Sequence, residues 1–503
     1  MDYFIGCRVL SFESKGTVKY IGKVDSQPGI WLGIDWDTPE RGKHDGTYKG
    51  IKYFTTRYPT SGSFIKPDKV SRGTSLVQAL KNRYLKFEET HIEEQNLMVL
   101  QKTFNAPFVE IVGMDKVSRT QCNLGELKEA SVSSQPVSHG GNGFESLFPN
   151  LEELHLDSTL LSAWTDVFEI INHLPKLKML NLSYNVLSLD NIDESGAVFP
   201  NIRHLVLIGM EYTWTDIRKI CKFFPDVEHL QVSWNKITSI DSIDCIDSCR
   251  ILDLEHNSLK FWKNLRQLGR LKRLQRLNLI RSELENIEID GGDFPSLQVL
   301  WLTKNDIKEW HHISQLGKIY TLKDLRILEN PLLKKANMET NRQNVIARIG
   351  SLKVLNGTEI SSQDRKGAEI DYVKSLAQEW RSVRTDSARH QKFLEDHPRF
   401  EVLAKALGLP EKEELEKMPT TVKSSLIGIK ITLSEDKMVL RKVPSTMSVG
   451  KLRSLVERLT NSDEDISLFA ASEKRPNVLI PLDNEMRQLS FYSIEDGDYI
   501  HVK

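Results

Sequence analysis

The sequence predicts a multidomain α/β protein: a small β-barrel, a solenoid of short strands, and a compact module mixing strands with one helix. Three observations predict it. A leucine frame recurs nine times between residues 124 and 357. The first 73 residues are rich in Gly, with short apolar runs at Arg8–Leu10, Thr17–Ile21, Trp31–Asp35 and Phe64–Lys66 that read as strands. The last 79 residues alternate like strands around one helical segment. A length of 503 residues exceeds one core and fits three or four domains of ~100–200 residues each.

Composition narrows the function classes. Lys and Arg (68) against Asp and Glu (69) leave a net charge of -1, which argues against a general nucleic-acid binder. No apolar run approaches the ~20 residues of a bilayer span, and Met1–Gly6 lacks a signal-peptide pattern, so no membrane role is expected. Five cysteines cannot build a disulfide framework, and the cytoplasm is the expected compartment. Cys245 and Cys249 are a close pair with no second pair at ligand spacing, so buried thiols are expected and no metal. No nucleophile elbow, Cys/His frame or paired-carboxylate motif is found, so no enzyme and no small-molecule cofactor is expected.

The repeat is Leu-x-x-Leu-x-Leu-x-x-Asn-x-Leu, clean at Leu177, Leu180, Leu182, Asn185 and Leu187. It begins at 127, 151, 177, 202, 227, 249, 274, 297 and 322, with spacings of 22 to 26 residues. This period and consensus are those of leucine-rich repeats. Each repeat should supply one strand whose leucines enter a shared core. Asn185, Asn235, Asn257, Asn305 and Asn330 should bond backbone groups where the chain leaves the strand. Gln135, Thr159, Met210 and Ser282 stand at that position elsewhere, and less regular turns are expected there. Residues between the leucines project onto the concave face, which places Tyr184, Trp234, Asp253, Glu255, Arg276 and Trp301 there as candidate docking residues. His155, His204, His229, His256, Arg281 and Arg326 are expected nearby. Aromatics and Arg dominate interfaces energetically.

In the N-terminal module, Gly42-Lys43-His44-Asp45-Gly46-Thr47-Tyr48-Lys49-Gly50 is followed by Tyr53-Phe54. Pro28-Gly29-Ile30-Trp31-Leu32-Gly33 precedes it and Gly62-Ser63-Phe64-Ile65-Lys66 follows. Three blocks in this order resemble the CAP-Gly domain of cytoskeleton-associated proteins. The resemblance implies a site for acidic chain ends finishing in an aromatic residue, notably that of α-tubulin. Trp31 and Phe64 would then line the pocket, with Lys43, His44 and Lys66 on the acidic tail. Gly42, Asp45, Gly46 and Phe54 complete the candidate tail-binding set. The alternative for Trp31, Phe54 and Phe64 is that they are only barrel core. Residues 1–73 carry 12 Lys and Arg against 8 Asp and Glu, a net of +4, opposite in sign to such a tail. His44 departs from the family's usual Asn, and its protonation near neutral pH is expected to tune affinity. Ser26 stands where many members have an aromatic.

From Leu426 onward, two strands, a helix over Val449–Leu459, shorter strands and a closing Asp496-Gly497-Asp498-Tyr499-Ile500 resemble a ubiquitin-like β-grasp fold. Without a terminal Gly-Gly it is expected to be an interaction module, not a transferable tag. The expected organisation is residues 1–73, CAP-Gly; 74–123, helical linker; 124–357, leucine-rich repeats with a cap; 358–424, helical linker; and 425–503, ubiquitin-like. Ser361 and Asp364 have capping-box spacing at the start of the second linker, which is either a rigid spacer or a packed extension of the cap.

The three modules in this order resemble the tubulin-folding cofactors. That resemblance implies a cytoplasmic, cytoskeleton-associated chaperone that binds α-tubulin and acts with tubulin cofactors B, C and D in assembling and dissociating the αβ heterodimer. The proteasome is a further implied partner of the ubiquitin-like module. A microtubule-lattice adaptor and a ubiquitin-pathway scaffold remain alternatives.

Overall fold

A computed structural model describes residues 3–85, 124–190, 192, 198–334, 336–409, 426–434, 437–460, 466–472 and 475–502. Residues 86–123 of the expected first helical linker lie outside them. The chain forms two compact units, one built on the N-terminal module and solenoid, the other on the C-terminal module.

The N-terminal module is an antiparallel sheet of Arg8–Ser11, Ser14–Gly22, Trp31–Trp36 and Gly62–Ile65, in that order. Alternation sends Leu32, Ile34 and Trp36 inward with Cys7, Val9 and Val18. An ion network ties down the far loop: Arg8 pairs with Asp37, while Arg57 reaches Asp35 at 3.1 Å and Asp37 at 2.7 Å. Burial alone would raise the Asp37 pKa, but the two guanidiniums overcome it and hold the carboxyl below its ordinary range.

The solenoid strands are Glu129–Ser131, Glu153–His155, Met179–Asn181, His204–Val206, His229–Gln231, Ile251–Asp253, Arg276–Asn278, Val299–Trp301 and Asp324–Arg326. Each starts two residues into its leucine frame, and all are parallel neighbours in one sheet. The middle residue of every strand, from Ala130 and Leu154 through Leu325, is fully buried. Four of the ladder asparagines, Asn185, Asn257, Asn305 and Asn330, are buried as well, and Asn235 is half-buried. Asn185 Nδ2 donates to Leu156 O (2.7 Å) and Leu182 O (2.9 Å), and Asn305 repeats this with Leu279 O (2.7 Å) and Leu302 O (3.0 Å).

The turns at Gln135, Thr159, Met210 and Ser282 are not less regular, contrary to expectation. In all nine repeats the residue before the Asn position is left-handed, with φ between +53° and +65°, Asn or no Asn. The cause is visible in the bonding. An Asn serves the preceding turn as much as its own: Asn235 Oδ1 accepts from Met210 N (3.1 Å) and Tyr212 N (3.0 Å), and Asn305 Oδ1 from Ser282 N (3.0 Å) and Leu284 N (2.9 Å). The repeats of Thr159, Met210 and Ser282 therefore borrow the next repeat's Asn, while Gln135, whose neighbour is Thr159, keeps the turn by its N–H donating to Val132 O.

Both ends of the array are sealed. Thr74–Ser75 pairs in parallel with Val137–His139, and Ser75 caps the helix Leu76–Tyr84, whose Leu76, Val77, Ala79, Leu80 and Tyr84 are buried. Tyr84 Oη accepts from Ser131 N at 3.1 Å. Lys15 of the N-terminal sheet donates to Ser158 O, a direct bond between barrel and solenoid. At the other end, Arg365 donates to Ile346 O, Ile349 O and Leu352 O, and Arg399 to Ala347 O. Two guanidiniums thus take the Ile346 and Ala347 carbonyls at the end of the helix Met338–Arg348 and two more just past it. The capping box at the start of Ser362–Val383 forms as expected: Asp364 N donates to Ser361 Oγ at 3.0 Å.

In the second unit the sheet order is Lys437–Pro444, Leu426–Ser434, Tyr499–Val502, Leu468–Ser472, Arg475–Pro481, with Tyr499–Val502 parallel to Leu426–Ser434. The helix Val449–Thr460 packs Val449, Leu452 and Val456 onto it. The Asp-Gly-Asp turn is fixed by Gly428 N donating to Asp496 Oδ1 (2.6 Å) and by Gly497 at φ +96°.

Candidate functional site

The N-terminal module holds a cavity of about 330 Å³ built around Phe64. Five rings crowd that side chain: Tyr20, His44, Tyr48, Tyr53 and Phe54, with centroids 5.2 to 6.2 Å away. Their closeness needs glycine. At Gly33 a Cβ would overlap the Phe54 ring, and at Gly42 it would collide with Thr60 O. Gly46 is left-handed at φ +94° with its Cα against Phe54 O. The loop is pinned to the strand Gly62–Ile65 by Lys43 N donating to Gly62 O (2.7 Å) and Gly62 N to His44 O (2.7 Å).

Trp31, Lys43, His44 and Phe64 line the cavity together with Val24, Gln27, Arg41, Tyr48, Ser63 and Ile65. Of the aromatics whose alternative was barrel core, Trp31 and Phe64 are half-buried on the wall, and Phe54 is buried beneath it. Gly42, Gly46 and Phe54 shape the wall without lining it. Asp45 faces its own turn, where Oδ1 accepts from Thr47 N at 3.0 Å. The Thr47 hydroxyl first, then that N–H bond and the nearby Lys52, lower its pKa. Lys66 stands outside the lining, its ammonium 4.3 Å over the Trp31 ring and donating to Pro28 O.

Among the described residues neither Lys43 nor Arg41 has an acidic partner; the Arg41 guanidinium rests 4.9 Å over Trp36. The cavity is therefore apolar-walled with free cations on it, an arrangement suited to an anionic end carrying an aromatic ring. Arg41 and Tyr48 are absent from the sequence-derived set. Arg41 lies one residue outside the glycine motif, and nothing in its local spacing marks it.

The expectation for His44 is corrected. Its Nδ1 accepts from Gly46 N at 3.0 Å, and burial lowers its pKa while Asp45 partly opposes this. Proton uptake is shifted to lower pH, away from neutrality, and would break the Gly46 bond. Nε2–H remains as the free donor.

Along the solenoid the candidate docking residues separate into two groups. Asp253, Arg276 and Trp301 sit on strands at outward positions, and Glu255 lies two residues beyond one. Tyr184 and Trp234 do not sit on strands. Both are the left-handed turn residue, φ +57° each, as is Arg281. The Trp234 ring stacks on His256 at 3.6 Å, and Tyr184 covers Gly209, where a Cβ would meet its ring. Both are exposed, at 47% and 57%. Asp253 is engaged internally, accepting from Ser233 Oγ (2.6 Å) and Glu255 N (2.9 Å). His204 and His229 stack at 3.9 Å, and burial first, then the neighbouring His229 and His155, pushes His204 down to about 4.

Glu129, Glu153 and His155 bring three possible ligand atoms within 4.8 Å of one another, with both glutamates exposed. Cys249 is buried, its thiol pushed up to about 12 by desolvation, and Cys245 is half-buried. No helix among the described residues is long and apolar enough to cross a membrane.

Comparison with known proteins matches three family models: a CAP-Gly domain over residues 5–70, a leucine-rich repeat over 213–381 and a ubiquitin-like domain over 426–503. Tubulin-specific chaperone E of Bos taurus is 35% identical over 99% of this chain and 98% of its own. That of Danio rerio is 35% identical over 100% and 99%. A solved structure of the Bik1 CAP-Gly domain with an ETF peptide from Bim1 is 42% identical, covering 13% of this chain and 78% of its own, with a TM-score of 0.12. With full-length relatives at this identity, the chain belongs to the tubulin-specific chaperone E family.

Proposed function

We propose that this protein is a tubulin-folding chaperone that grips α-tubulin at two points. The N-terminal cavity takes the acidic C-terminal tail, with its last aromatic against Trp31 and Phe64 and its carboxylates on Lys43, Arg41 and the His44 Nε2–H. The concave face takes the folded body through the strand residues Asp253, Arg276 and Trp301, and through Glu255, with Tyr184 and Trp234 on the turn ridge. The observation that carries this reading is the cavity itself, aromatic within and bearing unpaired cations at its wall, in a chain of this family. Joining two modest contacts makes the second intramolecular, so they combine strongly. Tubulin cofactors B, C and D act with it in heterodimer assembly and dissociation. The ubiquitin-like module, with Met438 and Leu440 exposed on its edge strand, serves as a docking module for such a cofactor or for the proteasome.

The test incubates purified αβ-tubulin with the full chain, with and without cofactor B, and measures heterodimer content. Loss of heterodimer supports the chaperone. Unchanged heterodimer with cosedimentation on microtubules identifies a lattice adaptor instead. Loss of partners on deleting 425–503, with α-tubulin binding untouched and heterodimer unchanged, identifies a ubiquitin-pathway scaffold.

A further inference from the structure

The outward positions of the solenoid strands are not uniform in charge. From the strand Glu129–Ser131 to the strand Ile251–Asp253 they carry the acids Glu129, Glu153 and Asp253 and no Lys or Arg, and Asp157 and Glu255 add two more acids just past their strands. The sign changes at the next strand, Arg276–Asn278. Two strands on, Arg326 stands beside Trp301, its partner in the parallel register. Both guanidiniums are held over that one indole, Arg326 at 4.5 Å and Arg276 at 5.6 Å. Both are exposed, and no carboxylate among the described residues pairs with either. By contrast, Arg203, Arg250 and Arg266 of the same solenoid are each paired with an acid. Asp324, on the Arg326 strand, is the one acid at an outward position of the last three strands, and it is not within ion-pair reach of either arginine.

We infer that Arg276, Trp301 and Arg326 form a receptor for an acidic polypeptide segment of the client's folded body. Guanidinium forks match carboxylates, and stacking on a shared ring fixes both forks before the partner arrives, so little freedom is lost on binding. The acids along the rest of the face repel a continuous polyanion, which excludes a nucleic-acid backbone or an anionic lipid surface as the occupant. The fitting partner is a protein that sets an acidic segment against this end and basic groups against Glu129, Glu153 and Asp157. This rests on the reading that the concave face holds the client's body.

The experiment uses the full chain and αβ-tubulin whose C-terminal tails have been removed by proteolysis, so that the N-terminal cavity takes no part. The probes are wild type, Arg276→Glu with Arg326→Glu, and Trp301→Phe. The double reversal should weaken binding at least about tenfold at ~50 mM salt, and the gap should narrow at ~500 mM as screening shortens. Affinity for a Glu-Glu-Tyr peptide should stay the same. Trp301→Phe, which keeps a ring under the guanidiniums, should fall between wild type and the double reversal. If wild type binds tail-less tubulin and the reversal changes nothing, the receptor is refuted while two-point binding stands. If wild type does not bind tail-less tubulin, the two-point reading falls and the receptor with it.

Discussion

In the N-terminal module five rings converge on one phenylalanine, and glycines let the backbone close around them. Along the solenoid the same residue types are spread one or two to a repeat, each held by its own strand or turn. The cavity concentrates its chemistry and depends on a few backbone positions that accept no side chain. The face distributes its chemistry and depends on a hydrogen-bond ladder that reaches across repeats. Damage should therefore be all-or-none in the first and graded in the second.

The sharpest break is Gly46→Val. The new Cβ meets Phe54 O in a left-handed conformation hostile to branched residues, at a cost of about 3 kcal/mol or more. Loss of Glu-Glu-Tyr peptide binding and a lowered melting transition of the N-terminal module should both be seen. Next is Asn305→Ala, which strands two carbonyls and two N–H groups in a buried turn and should cost about 2–4 kcal/mol in urea denaturation. Ser282→Ala, one repeat earlier, should cost under ~1 kcal/mol because Asn305 already serves that turn. Equal costs would show that the ladder is local to each repeat.

Smaller effects test the wall of the cavity. Lys43→Ala and Arg41→Ala should each reduce peptide affinity about tenfold, near 1.4 kcal/mol, by titration calorimetry. Amidating the peptide's terminal carboxylate should shrink both losses. The smallest effect is the pH dependence of His44. Because its folded pKa lies below that of the unfolded chain, its contribution to stability is complete above pH ~6.5 and lost as pH falls through the folded value. His44→Asn keeps an acceptor for Gly46 N and removes the titration. The wild type should lose stability relative to it on acidification from pH 7.5 to 5. An opposite slope would mean that His44 is charged in the folded module.

Much of the solenoid was legible because its signal is periodic. The nine leucine frames put nine strands in place, and the Asn positions named the ladder. The left-handed residue before each Asn was not legible, since Ser134, Tyr184, Gly209, Trp234, Arg281 and Glu329 share no chemistry. Backbone geometry selects that position, and composition does not mark it. This is also why Tyr184 and Trp234 were expected on the strand surface rather than on the turn ridge. In the cavity, Trp31, Lys43 and Phe64 carry the family's motif and His44 stands at its Asn position, but Arg41 reaches the wall only through the fold of the loop before Gly42. The bonds of Arg365 and Arg399 to helix carbonyls join residues distant in sequence and leave no local trace.

The Thr74–Ser75 pairing with Val137–His139, with Lys15 bonded to Ser158, leaves no slack between barrel and first repeat. Whatever enters the cavity is thereby presented to the repeats at a set reach. A client tail trimmed below that reach should lose the advantage of bridging abruptly rather than by degrees, and lengthening the joint with inserted glycines should restore it only to short tails.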